Sequence, residues 1–251
     1  MSLRALLLLC LAAAVLAEPP QLGPYEVAFA DYTVDILEPL NGVVVAYPSN
    51  AAANETFTFI SFAHGLFGGG VKTEVVHKSL LRSMASHGFI VAATKSCNIG
   101  CPGTGFDIYY EEQIKVIVWS QSPAMRADPV MSMVNHPIGY GISGHSMGGQ
   151  ATARSAAWRA SSYGIKAAVL LHPFSEVIEP IGKDILIPMA AFTGTEDGCC
   201  GESTTRKYYD PSPAPKTFAN MVGATHYEVT SGFPKTIANH RFLTFGLFVF
   251  T

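Results

Sequence analysis

Charge is scarce in this chain of 251 residues. Only 14% of them are charged against 49% hydrophobic, and the 16 basic and 19 acidic residues (net charge −3) are scattered with no basic run. Nothing is there to neutralise a phosphate backbone, so nucleic acid is not an expected partner. Fixed-period repeats, coiled-coil heptads and low-complexity tracts are missing too, which leaves one compact domain with a large buried core. The apolar stretch Leu6 to Leu16 is well short of the roughly 20 residues that span a bilayer. With Arg4 before it and small residues ending at Ala17, ahead of Glu18-Pro19-Pro20, it reads as a secretory signal peptide cleaved after Ala17. A longer organelle-targeting leader is a variant of that reading. The expected product is a secreted, monomeric single domain over 18–251, with no transmembrane segment once the signal is gone.

Cysteine is sparse as well. Loss of the leader removes Cys10 and leaves Cys97, Cys101, Cys199 and Cys200, an even number suited to disulfides in an oxidising compartment. The adjacent pair is a poor candidate for bonding to itself because that strains the backbone. Two arrangements stay open: a cross-link from the 97–101 loop to the 199–200 loop, or a local Cys97-Cys101 bridge with the other two free. Zinc fits less well, since the spacing lacks the paired form of structural zinc sites. The run Gly68-Gly69-Gly70 lacks the Walker lysine and the Gly-x-Gly-x-x-Gly spacing, which argues against a phosphate cradle.

What is present is an alternation of apolar strands and helices. Tyr25 to Ile36 and Val43 to Tyr47, around Asn41-Gly42, read as a β-hairpin or two early antiparallel strands. Asn54-Glu55-Thr56, in a polar turn, is a glycosylation acceptor triplet. Phe57 to Ala63 is a continuous apolar strand, Val75 to His87 a helix ended by Gly88, and Phe89 to Thr94 a strand, which together make a βαβ unit. Helices follow at Glu111 to Ser120 and Gly149 to Ser161, and strands at Ile138 to Ser143, Ala167 to Leu171, Ile185 to Thr193 and Thr217 to Val222. Thr236 to Phe250 is expected to close the fold as a helix. The class is therefore α/β, with a mostly parallel sheet between helices.

The chemistry centres on Gly144-His145-Ser146-Met147-Gly148, set between a strand and a helix. A serine hydroxyl is a weak nucleophile that needs a base and a rigid presentation, and a sharp turn flanked by glycines supplies the second. This is the nucleophile elbow of the α/β-hydrolase fold, in which acid and base follow in that order at strand ends. Asp197, after Phe192-Thr193-Gly194-Thr195, is the expected acid, with Glu196 the weaker choice; Glu176, Glu179, Asp184, Glu202 and Asp210 read as solvated loop residues. His226, in the loop after the last strand, is the expected base. His172 precedes the acid and is out of order, and His240 falls in the closing helix. His77, His87 and His136 read as structural, and His145 as a packing residue of the elbow. Acyl transfer also needs oxyanion donors. The Met147 amide is one, and Leu66, after the strand ending at Ala63, is the other, with Phe67 as its neighbour. No metal or cofactor is called for.

With these residues in view the chain resembles the polyester-hydrolase and cutinase-type lipase group, and the related chlorophyllases and dienelactone-hydrolase-like proteins. The resemblance runs from Tyr25 to the C-terminal helix. It rests on His64-Gly65-Leu66, on Met84 to Val91, on Gly144 to Gly149, and on the acid and histidine loops. It implies the same triad of Ser146, Asp197 and His226, the oxyanion donors Leu66 and Met147, and an aromatic wall at Phe174. It departs from the bacterial polyesterases in Leu66, where those usually carry an aromatic residue. Met147 stands where chlorophyllases often have arginine, and Cys199-Cys200 is unlike the bacterial bridge. The expected activity is hydrolysis of lipidic or polymeric esters at a shallow site, walled by Leu66, Phe67, Met147 and Phe174, with no large lid. A chlorophyllase-like esterase or an acyltransferase would use the same triad. A non-catalytic binding protein of this fold usually lacks a triad member, and here all three are present.

Overall fold

A computed structural model describes residues 22–37, 41–101, 105–176 and 181–231. The expected leader at 1–17 and the expected closing helix with His240 lie outside the described residues. Strands β1 (Val27–Thr33), β2 (Gly42–Pro48), β3 (Thr58–Ala63), β4 (Phe89–Thr94), β5 (Tyr140–His145), β6 (Ile165–Leu171), β7 (Met189–Gly194) and β8 (Lys216–Met221) form one sheet in the order β1-β2-β4-β3-β5-β6-β7-β8. Only β2 runs against its neighbours; every pairing from β4 to β8 is parallel. The helices are α1 (Thr73–Ser86), α2 (Tyr109–Ser120), α3 (Pro123–Ala127), α4 (Met147–Trp158), α5 (Ala160–Tyr163) and α6 (Glu202–Tyr209). This is the α/β-hydrolase arrangement.

The central strands are apolar throughout because both faces of the sheet are covered. Alternation of side chains then divides one strand between two cores. Phe59, Ile90, Ala92, Ile142 and Leu170 face the core that holds Ile114 and Ile117 of α2 and Ala153 of α4. Their neighbours Ile60, Val91, Ala93, Val169 and Phe192 face the core that holds Leu80, Leu81 and Met84 of α1. Gln113 of α2 is fully buried and donates from its amide to Ser61 O (3.1 Å) and Ser143 O (3.0 Å), fastening that helix across β3 and β5.

Several boundaries differ from expectation. Ile138 belongs to a short 3-10 turn, and β5 starts at Tyr140 after Gly139, whose φ of 89° resets the chain. The stretch 185–188 precedes β7 rather than opening it, because Ile185 and Ile187 pack beside a 3-10 turn at Ile181–Asp184. The two early strands pair antiparallel as expected, but the first is shorter, since β1 ends at Thr33, opposite Gly42, and Val34 and Leu37 sink into the core. Glu202, expected on a solvated loop, begins helix α6. That helix is short and polar, with only Thr205 and Tyr208 buried, and is supported by Glu202–Arg206 and Arg206–Asp210 ion pairs at helical spacing.

Candidate active site

Ser146 sits where β5 becomes α4, with φ 56° and ψ −118°. A side chain at positive φ is costly, and the surrounding structure has to enforce it. It does so with backbone bonds on both sides, Ser146 N donating to Leu171 O and Phe174 N to Ser146 O, each at 2.9 Å. The flanking glycines are required by space. A Cβ on Gly144 would lie 2.1 Å from Gly148 O, and one on Gly148 would lie 2.0 Å from Ala63 O. The elbow therefore packs backbone against backbone, and Ser146 is raised at the carboxyl end of the sheet.

Three residues from three strand ends meet there. His226 Nε2 lies 2.9 Å from Ser146 Oγ, and His226 Nδ1 lies 3.0 Å from Asp197 Oδ2. A carboxylate only accepts, so Nδ1 carries the proton and Nε2 is left bare to accept the serine hydroxyl. All three residues are buried, Ser146 at 7%, Asp197 at 8% and His226 at 9% exposure. Glu196, by contrast, is exposed. Asp197 also receives the Cys199 and Cys200 amides on Oδ1, at 2.9 and 2.7 Å. Burial by itself raises this carboxyl's pKa, but hydrogen bonds from His172, His226 and the Cys200 amide outweigh it and hold the group well below the usual carboxylate range.

His172 is one of the residues the chain order passed over. Its Nδ1 lies 2.7 Å from Asp197 Oδ2, the same oxygen that His226 uses. It is fully buried at the end of β6, and a position at the carboxyl edge of the sheet was the signal that could have placed it at the site. His145 is likewise more than packing. Its Nε2 lies 2.9 Å from His226 O, and its Nδ1 faces His77 Nε2 at 3.5 Å. A carbonyl only accepts, so Nε2 of His145 carries the proton and tethers the base loop. Burial lowers the pKa of both His145 and His172, keeping them neutral.

The turn after β3 supplies the second wall. Phe67 N donates to Asn98 O at 2.7 Å, Gly68 N to Gly65 O at 2.9 Å, and Gly69 N to Asn98 Oδ1 at 2.8 Å. Among the described residues no acceptor takes the Leu66 amide, nor that of Met147 at the head of α4. The turn abuts Ser146, since a Cβ on Gly65 would lie 3.1 Å from Ser146 Cβ. Asn98 is carried by a loop in which the sulfurs of Cys97 and Cys101 lie 2.05 Å apart, so the four cysteines divide into this pair and the adjacent Cys199 and Cys200. Leu66 and Phe67 are exposed, and Phe174 is half-buried, edge-on to Phe106 at 5.8 Å. Met147, expected in the apolar wall, is 1% exposed and packs inward with Cys97, Tyr109 and Ala151, because the first turn of α4 points its side chain into the core.

Two clusters here have metal-ligating atoms within 4.8 Å of one another, Cys199-Cys200-His226 and His172-Asp197-His226. In the second, both carboxylate oxygens accept from N–H groups, an arrangement that fixes the orientation of the imidazoles. No described helix is long and apolar enough to cross a membrane.

A search of curated proteins finds no match to this chain. The protein-family model described as Chlorophyllase matches residues 21–178, a span that holds the Leu66 turn and the Ser146 elbow and stops before Asp197 and His226. By that match over more than half its length, the chain belongs to the chlorophyllase family, within the α/β-hydrolase superfamily.

Proposed function

We propose that the chain is a secreted serine hydrolase of carboxylic esters, with Ser146 as nucleophile, His226 as general base and acid, and Asp197 as the carboxylate that orients His226. The observation that carries this reading is the continuous line from Ser146 Oγ through His226 to Asp197 Oδ2, at 2.9 and 3.0 Å. His226 Nε2 takes the hydroxyl proton as Oγ attacks the ester carbonyl. The oxyanion that forms is held by the amides of Leu66 and Met147, and loss of one such donor costs about 3 kcal/mol. His226 then protonates the departing alcohol, and water, activated by the same nitrogen, clears the acyl-enzyme. A carboxylate held well below its usual range stays ionised to balance the imidazolium at each step.

The substrate is an ester with an apolar arm, which the exposed Leu66 and Phe67 and the Phe106–Phe174 pair support. Family membership favours chlorophyll-type esters over polyesters. Secretion rests on the leader pattern in residues 1–17, and it agrees with reading Cys97–Cys101 as a disulfide that braces the Leu66 turn. A panel running from acetate to long-chain p-nitrophenyl esters, with chlorophyll and a polyester film added, tests the reading. Hydrolysis that depends on Ser146 is expected, and Ser146→Ala matching wild type would overturn it.

A further inference from the structure

Cys199 and Cys200 are both unbonded, and they sit against the relay rather than apart from it. Their sulfurs are 3.0 Å apart. Cys199 is exposed, while Cys200 is fully buried. Both sulfurs lie within 4.8 Å of a ring nitrogen of His226. The two backbone amides of this same dipeptide are the donors to Asp197 Oδ1. One pair of residues therefore carries a dithiol on its side chains and half the carboxylate's support on its backbone.

We propose that Cys199-Cys200 is a redox modification site, a dithiol that low-molecular-weight disulfides such as oxidised glutathione convert to a disulfide between neighbours, slowing the enzyme through Asp197. The exposed Cys199 thiolate attacks the small disulfide and releases one small thiol; the Cys200 sulfur then attacks Cys199 and releases the second. Two protein S–H groups and one small disulfide become one protein S–S bond and two small thiols. Neighbouring Cα atoms are about 3.8 Å apart, below the roughly 4.4–6.8 Å that a relaxed disulfide spans, so ring closure twists the peptide between them. That peptide bears the Cys200 amide, which gives up its place on Oδ1 as the ring closes. A strained, exposed disulfide has a comparatively oxidising potential, so reduced glutathione reopens it.

The effect on turnover rests on the reading of Asp197 as the relay's acid, whereas bond formation does not. The full chain is incubated over a range of oxidised to reduced glutathione. The peptide holding residues 199–200 is weighed, and ester hydrolysis and fluorophosphonate labelling of Ser146 are followed in parallel. The expected result is loss of two hydrogens from that peptide, with a matching fall of about tenfold or more in kcat and in labelling rate, reversed by reduced glutathione, since small displacements of a catalytic group are costly. Cys199→Ser, compared with its own untreated activity, is expected to lose the response. Stable glutathione adducts without the internal bond would overturn the proposal. So would an internal bond that leaves both rates unchanged, or a response that persists in Cys199→Ser. If the bond forms in a protein that neither hydrolyses esters nor labels, the esterase reading has failed and the modification site stands.

Discussion

Asp197 accepts four hydrogen bonds, two imidazole N–H groups on Oδ2 and two backbone amides on Oδ1, and this saturation decides its role. A carboxylate so filled cannot take a proton in the working range, so it orients rather than exchanges. Asp197→Asn is expected to lower kcat by about 10⁴-fold, the size of the effect in the Ser-His-Asp template when the base is held in the wrong tautomer. A steady-state assay with a p-nitrophenyl ester reads it. His172 acts on the same oxygen without touching substrate. His172→Ala is expected to cost about tenfold in kcat with KM unchanged, since a hydrogen bond to a charged group contributes about 1.5–3 kcal/mol. His172→Asn, whose amide still donates, is expected to recover part of that loss. A merely structural role would instead lower thermal stability equally in both variants.

At the residue scale the sequence carried much of the site. The elbow, Asp197 and His226 were legible because the fold fixes their order and because glycines must flank the serine. His172 was passed over because chain order ranks candidates for the base and says nothing of a second donor to the acid. The supporting amides of Cys199 and Cys200 were equally hidden, since a backbone donor leaves no signature in residue identity. Met147 was legible as the residue that follows Ser146 into the helix, while the inward course of its side chain depends on the roll of α4.

At the scale of elements, the candidate site gathers the turn after β3, the elbow after β5, and the loops after β7 and β8 that carry Asp197 and His226. Gly148→Ala is expected to abolish activity and lower Tm, because the added Cβ would lie 2.0 Å from Ala63 O, a backbone atom that cannot yield. Asn98→Ala tests the turn more gently. It removes the acceptor for Gly69 N and leaves the Asn98 carbonyl on Phe67 N. Expected is a fall of about tenfold in kcat with a small change in KM, a fraction of the cost of losing an oxyanion donor outright. The strands were readable as elements because burial on both faces makes them continuously apolar. Helix α6 was not, because charged i,i+4 pairs support it and it buries only two side chains.

For the whole molecule, the buried histidines tie stability to pH. Burial lowers the pKa of His64, His77, His145 and His172, with His77 falling to about 3. The unfolded chain takes up protons near the ordinary histidine value of 6.5 while the folded chain does not. Their contribution to stability is therefore complete above about pH 6.5 and is lost as pH falls, by up to about 1.4 kcal/mol per pH unit for each group. Thermal melts from pH 8 to pH 4 are expected to show Tm falling steadily below about 6.5. A flat Tm through that window would mean that these rings are protonated in the folded state.

The family match covers Ser146 and the Leu66 turn, while Asp197 and His226 lie in the part of the chain beyond the matched residues. The central claim, that these halves make one reacting unit, is tested most directly by fluorophosphonate labelling read by peptide mass. The account predicts a single adduct on Ser146 in wild type and a labelling rate that falls by orders of magnitude in His226→Ala. An unlabelled wild type, or a His226→Ala variant that labels as fast, would contradict it.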